Sequence, residues 1–376
     1  MSSDIQVESG IYIHIPFCTS RCLYCDFFSK VVTSESIKKN YGKAVLHELK
    51  RRLPELDGTK IRSVYIGGGS PSLMDASFYA TLSHLFTMSG IDLDRIEYTV
   101  EVNLNDIDLK WMSDLKTIGV NRTSVGIQAF DRTVLKEIGR RTTVEDIRKN
   151  LPVLNSYFKN LSIDMIYGFG KDRNIMNELD ELFAIADPVH LSAYQYTPPP
   201  SKNAPVPLDE DETAIQENII KDFLDQKNFN RYEISNYSKK GFESIHNMIY
   251  WSFGSWLGIG AGAKSFNAVK REHSFYDENI NSFINGAGLS RYSPSKKEQL
   301  EEFLLMGLRK LDGIDLNRFK FFFGSDIENI IDIKVIKELT DAQLLEKNET
   351  HIRCTAKGID YLNPVLIKLF DALAGK

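Results

Sequence analysis

Six short runs rich in β-branched and aromatic residues punctuate the first half of the chain: "IYIHI" at 11–15, "IRSVYI" at 61–66, "RIEYTVEV" at 95–102, "RTSVGIQ" at 122–128, "LSIDMIYG" at 161–168 and "VHLSAYQY" at 189–196. Between them lie amphipathic segments with helical spacing, such as "SIKKNYGKAVLHELKRRL". Strands that alternate with helices run parallel, because each helix carries the chain back to the end of the sheet from which the last strand started. Six such units in succession predict an α/β fold, a partial (β/α)6 barrel of the TIM type rather than an open dinucleotide-binding sheet. Working residues in such barrels sit at the carboxyl ends of the strands. The polar and glycine-rich features gather there: a cysteine loop after the first strand, "GGGSPS" after the second, Glu101 and Asn103 ending the third, Gln128 ending the fourth.

From Thr197 to Pro207, "TPPPSKNAPVP" holds five of the chain's twelve prolines and predicts an extended, stiff loop, either a lid or a linker. Near residue 295 the pattern changes. Leu300, Phe303, Leu304, Leu308 and Leu311 follow helical spacing, and "LLEKNETHIRC" reads as a hairpin among helices. The expected organisation is a barrel over 1–290, with a C-terminal extension of its sheet, and a small, mostly helical, winged-helix-like domain over 291–376.

Charge narrows the partners. The chain has 46 Lys plus Arg against 51 Asp plus Glu, and residues 295–376 hold 13 against 14, so the winged-helix flavour comes without the basic surface that nucleic acid requires. No run approaches the ~20 apolar residues of a membrane span, and the N-terminus lacks the basic-then-apolar order of a leader. The chain reads as cytoplasmic, without stable membrane insertion.

In that compartment thiols stay reduced, so clustered cysteines point to metal or redox chemistry rather than disulfides. Cys18, Cys22 and Cys25 fall within eight positions, whereas Cys354 stands far away and reads as a small core residue. Zinc usually takes four protein ligands, the fourth here being His14 or a distant residue. A [4Fe–4S] cluster held by three thiolates instead leaves one iron open to an outside ligand.

The C-x3-C-x2-C spacing, with Tyr24 before the last cysteine, resembles the signature of the radical S-adenosylmethionine (SAM) superfamily. That resemblance implies a cluster whose open iron is chelated by SAM, and reductive cleavage to a 5′-deoxyadenosyl radical. It also implies that Gly68, Gly69 and Ser70 hold the methionine end of the cofactor, that Glu101 serves it, and that Tyr12, Gln128, Arg140 and Asp164 complete the pocket. Each has a plainer reading: a tight turn for the glycines, a solvated carboxylate for Glu101, core packing for Tyr24.

"YIHIPFC", "GGGSPS", "RTSVGIQAFD", "SIDMIYG" and "YEISNYS" together look like the oxygen-independent coproporphyrinogen III oxidases and their relatives, over nearly the whole chain. The oxidases resemble C-x3-C-x2-C-x-C, whereas this chain has Phe27 in the last place. Relatives with phenylalanine there and an "HNxxYW" element downstream are haem chaperones, and this chain reads "HNMIYW" at 246–251. The resemblance implies haem as a ligand, with His246 contacting or ligating it and Tyr250 and Trp251 offering flat faces. The plainer reading makes the His–Asn pair hydrogen-bonded structure and the aromatics core. Respiratory haemoproteins as recipients and an electron donor for the cluster follow as partners. The alternative is an enzyme, a coproporphyrinogen III dehydrogenase turning two propionates into vinyls, or a radical enzyme with another substrate; for the chaperone no catalytic residue is expected. Three features depart from the family pattern: "YGFGKD" lacks the usual proline and glutamine, Thr142 stands where histidine is usual, and 197–207 is rich in proline.

Overall fold

The computed structural model describes residues 6–199 and 204–373. Six parallel strands, β1 (Glu8–Ile15), β2 (Lys60–Gly68), β3 (Glu97–Val102), β4 (Arg122–Gln128), β5 (Asn160–Tyr167) and β6 (His190–Gln195), stand side by side in chain order. Helices return the chain between them, beginning with Glu35–Arg52, where Ser34 caps the N-terminus and Tyr41, Val45 and Leu49 recur at a spacing of four to bury one face. This is the expected partial barrel, and each predicted strand is present to within three residues.

The sheet also grows at both edges. Beyond β6 lie two short antiparallel strands, Asn236–Ser238 and Asn230–Arg231. Beyond β1 lies Ser255–Ile259, parallel to it, then Lys264–Asn267, Glu272–Tyr276 and Leu289–Tyr292 in antiparallel order. The division expected at 290/291 therefore cuts this last strand, and by elements the helical region starts after Tyr292.

Alternation along the strands separates two faces. Ile11, Ile13, Ile15, Val64, Ile66, Val100, Val125, Ile163 and Leu191 lie on the helix-covered side and are at most 1 % exposed. The other face carries Tyr12, Ser63, Tyr65, Glu101, Arg122, Ser124, Ser162, Asp164, His190 and Ser192, which the pairing register sets beside one another. A parallel sheet covered by helices on both sides would be apolar on both faces. A polar second face is what a barrel interior with work to do requires.

After Tyr292, helices Lys296–Gly307, Leu316–Phe323, Ile333–Asp341 and Leu362–Asp371 surround a small sheet of Ile314–Asp315, His351–Cys354 and Leu345–Lys347. The expected hairpin is present, whereas Leu311 lies past the end of its helix. A second apolar core forms here around Phe303, Phe319 and Phe322, and it takes in Phe253 and Phe266 from the barrel side. Cys354 is buried in it, and burial pushes its thiol up to about 12, as a core cysteine should behave. Among the described residues no helix is long and apolar enough to cross a membrane.

Of the proline-rich segment, residues 200–203 lie outside the described residues. Its C-terminal end is tied to the barrel: the Tyr196 hydroxyl donates to the Pro205 carbonyl (2.9 Å), and Phe169 pairs with Pro207.

Candidate functional site

A cavity of about 360 Å3 opens at the carboxyl ends of the strands. One wall is the loop after β1. Phe17–Cys18 pairs with Lys30–Val31, and the Leu23 amide donates to the Ile138 carbonyl (2.9 Å), so the loop is fixed at both ends and in the middle. Cys18, Cys22 and Cys25 all line the cavity, with Phe27 beside them, 65 % exposed. Burial raises the Cys18 and Cys25 thiols, so the loop alone favours the neutral form and a cationic or metallic partner is needed to hold thiolates. Arg140 supplies one cation, its guanidinium 3.8 Å from the Cys22 sulfur. Among the described residues no three His, Cys, Asp or Glu side chains converge on a single ion. Three soft sulfur ligands spread along one wall, with a guanidinium beside them, fit an anionic iron–sulfur cluster.

The adjoining wall is built by β2 and β3. Gly68 has φ +113°, and a Cβ there would lie 2.5 Å from the His14 ring. A Cβ on Gly69 would lie 2.5 Å from the Phe17 carbonyl oxygen and 3.0 Å from the Cys18 sulfur. Glycines are required at this seam because the cysteine loop and the strand end lie in direct contact. Their amides are already used: Gly68 N–H donates to Glu101 Oε2 (3.0 Å), Gly69 to the Ile15 carbonyl (2.8 Å), Ser70 to the Phe17 carbonyl (2.6 Å). Contacts from this run to a bound molecule are left to its carbonyl oxygens and the Ser70 hydroxyl.

Glu101 accepts from the Tyr65 hydroxyl (2.8 Å) as well as from Gly68, yet burial pushes its carboxyl up to about 7, with Asp164 nearby adding to the rise. Asp164 accepts from Ser124 (3.2 Å) and is also raised by burial. Gln128 ends β4 at φ +72°, in a register shift that turns its side chain into the cavity. Arg140 donates to the Gly126 carbonyl, while its Nε is buried without a partner among the described residues.

Most of the residues singled out in the sequence thus meet here: Cys18, Cys22, Cys25, Gly68, Gly69, Ser70, Glu101, Gln128, Arg140 and Asp164. Two do not. Tyr12 lies deeper in the barrel, its hydroxyl paired with His14 Nδ1 (2.8 Å), and it does not line the cavity. His246 is 1 % exposed at the opposite rim, bonded through Nδ1 to Ser63 Oγ (2.8 Å) and through Nε2 to the Tyr250 hydroxyl (2.6 Å). Burial lowers it to about 3, so the ring is neutral, with one nitrogen donating to a hydroxyl and the other accepting from one. The residue expected to contact or ligate haem therefore lies outside the cavity that holds the cysteines. Sequence reasoning missed Tyr65, Ser124 and Tyr194, which also line the cavity. Strand parity marks them, since each falls on the polar face.

Residues 12–182 match the Radical SAM superfamily, and residues 295–361 match the HemN C-terminal domain. The heme chaperone HemW of Lactococcus lactis is 31% identical over 97% of this chain and 98% of its own length. That of Bacillus subtilis is 28% identical over 92% of this chain and 95% of its own. Among solved structures, the Escherichia coli coproporphyrinogen III oxidase (HemN), a radical SAM enzyme, superposes with a TM-score of 0.80 over 97% of this chain and 90% of its own, at 20% identity, a likeness of fold.

Proposed function

The chain belongs to the HemW family of haem chaperones within the radical SAM superfamily, and we propose that it binds a [4Fe–4S] cluster and SAM and delivers haem to respiratory haemoproteins. One observation supports the cofactor half: three thiols and no fourth share a single cavity with a glycine seam and two raised carboxyls. A cluster on three thiolates supplies an electron and an iron site open to the cofactor. Cys18, Cys22 and Cys25 hold it, and Arg140 offsets its negative charge. Glu101 and Asp164 present acceptors to the ammonium and hydroxyl groups of SAM, and Gln128 and the carbonyls of the glycine run complete the contacts. A carboxyl near 7 gains its charge when a cation arrives beside it, so binding and proton release are coupled at Glu101.

Haem binding rests on the chaperone name of the relatives. In this reading the protein works in the cytoplasm, receives electrons from a separate donor, and binds neither nucleic acid nor membrane stably. The fold likeness to the oxidase keeps coproporphyrinogen III decarboxylation as the second reading. Phe27 argues against it, because the oxidase-like pattern has cysteine in that place. Anaerobic reconstitution separates the two: the chaperone gives about four iron and four sulfide per chain, a cluster spectrum that shifts with SAM, haem binding, and unconverted coproporphyrinogen. Vinyl formation at many turnovers per cluster would replace the chaperone with the enzyme.

A further inference from the structure

Between the two rims of the barrel runs a short line of contacts that the proposed chemistry leaves unused. Glu101 in the cavity accepts from Tyr65 (2.8 Å). The Tyr65 ring lies stacked on the His246 ring, centroids 5.0 Å apart and planes 23° apart. His246 is held on every side: Ser63 at Nδ1, Tyr250 at Nε2, and its backbone amide donating to Glu97 Oε1 (3.1 Å). The neighbouring Ile245 amide donates to Glu97 Oε2 (3.0 Å). Gly10 opens the space for the ring, since a Cβ there would lie 2.9 Å from His246 Nδ1. The helix that carries this histidine, Ile245–Trp251, is gripped at its other end by the C-terminal region. Arg318 Nε donates to the Ser252 carbonyl, Lys310 donates to the Ser252 hydroxyl (3.2 Å), and the Arg309 guanidinium lies 5.0 Å from the centre of the Trp251 ring.

A histidine bonded at both ring nitrogens and at its amide immobilises what leans on it, and among the described residues Tyr65 is the group that both leans on it and bonds to Glu101. We propose that His246 is a positioning residue: by fixing the Tyr65 ring it aims the Tyr65 hydroxyl at Glu101 and so holds that carboxylate in the orientation that receives a bound cofactor. The "HNMIYW" helix then acts on the cofactor cavity from behind. Stacking fixes the plane of Tyr65, the plane fixes the hydroxyl, and the hydroxyl with the Gly68 amide leaves Glu101 a single rotamer. Tyr12, Asp164, Arg122 and Tyr194 also face Glu101, from β1, β5, β4 and β6. None of these is attached to helix 245–251 by a hydrogen bond among the described residues.

The proposal rests on the cavity being the SAM site, so its test carries one arm that does not need the cofactor. In protein without cluster or SAM, the Glu101 carboxyl is titrated by 13C NMR in wild type, Tyr65→Phe, His246→Gln and His246→Phe. Tyr65→Phe removes the hydroxyl and is expected to raise the midpoint by about one unit, because a bond to the charged form is lost. His246→Gln keeps hydrogen bonding but removes the stacked ring, and is expected to give part of that rise. His246→Phe keeps a ring against Tyr65 and is expected to restore the wild-type midpoint. In reconstituted protein, SAM affinity is expected to fall about tenfold in Tyr65→Phe and severalfold in His246→Gln, with the haem absorption spectrum unchanged in both. A Glu101 midpoint identical in wild type, Tyr65→Phe and His246→Gln overturns the proposal. So does loss of the haem spectrum in His246→Gln together with an unmoved midpoint. If wild type binds no SAM, the cofactor reading fails, while the titration still decides the relay.

Discussion

The polar face of the parallel sheet ends differently at its two rims. At the amino end, helix Ile245–Trp251 closes the barrel: Glu97 accepts two helix amides and lies 3.8 Å from Arg122, whose Nε is buried without a hydrogen-bond partner among the described residues, and His246 has both nitrogens bonded. At the carboxyl end the same face meets an open cavity, where Arg140 Nε has no partner among the described residues and two carboxyls are raised by burial. Matched residue types therefore carry opposite meanings. A polar group whose valences are filled by the chain is structure, and one left with spare capacity beside a cavity is waiting for a ligand.

The contrast is sharpest at the thiols. Cys18→Ala, Cys22→Ala or Cys25→Ala is expected to abolish the iron and sulfide content of the reconstituted protein, whereas Cys354→Ala, buried in the second core, keeps it. A full complement of iron in Cys22→Ala would erase the distinction between the rims. At the closed rim the expected loss is one of stability. Glu97→Ala leaves Arg122, 2 % exposed, without its carboxylate and two helix amides without an acceptor, which should cost about 3 kcal/mol in denaturant unfolding. A change below about 1 kcal/mol would mean that the rim is not held by that network.

Glu101 should behave in the opposite way. Its carboxyl is raised to about 7 in the fold, against about 4.3 in the unfolded chain, so the folded state binds the extra proton between those values. Stability from this group is therefore present at low pH and is lost as pH rises through about 7. Glu101→Gln is then expected to stabilise the protein without cofactor by about 2 kcal/mol at pH 8 and by almost nothing at pH 4. A pH-independent effect in paired thermal melts at the two pH values would remove the raised carboxyl from the account. The smallest effect belongs to Phe27. At 65 % exposure, Phe27→Ser should alter stability by less than about 0.5 kcal/mol, so a larger loss in chemical denaturation would make the cavity wall a structural element after all.

The sequence by itself determined the parallel strands, the helix over Glu35–Arg52, the hairpin ending in Cys354 and the three-thiol loop. In each case the signal is local: a periodicity of two or 3.6, or a spacing of ligands along one segment. The rule that such barrels work at that rim also put Glu101 and Gln128 near strand ends, where the structure has them, whereas Arg140 lies between two helices and Asp164 within β5. What only the tertiary structure decided is which partners each polar side chain meets. "HNMIYW" reads the same whether its histidine faces solvent, iron or Ser63, because Ser63 and Glu97 are distant in the chain and arrive by strand register and helix packing. The strand Ser255–Ile259, parallel to β1 across the whole length of the barrel sequence, was hidden for the same reason: pairing between remote segments leaves no periodic mark in either one.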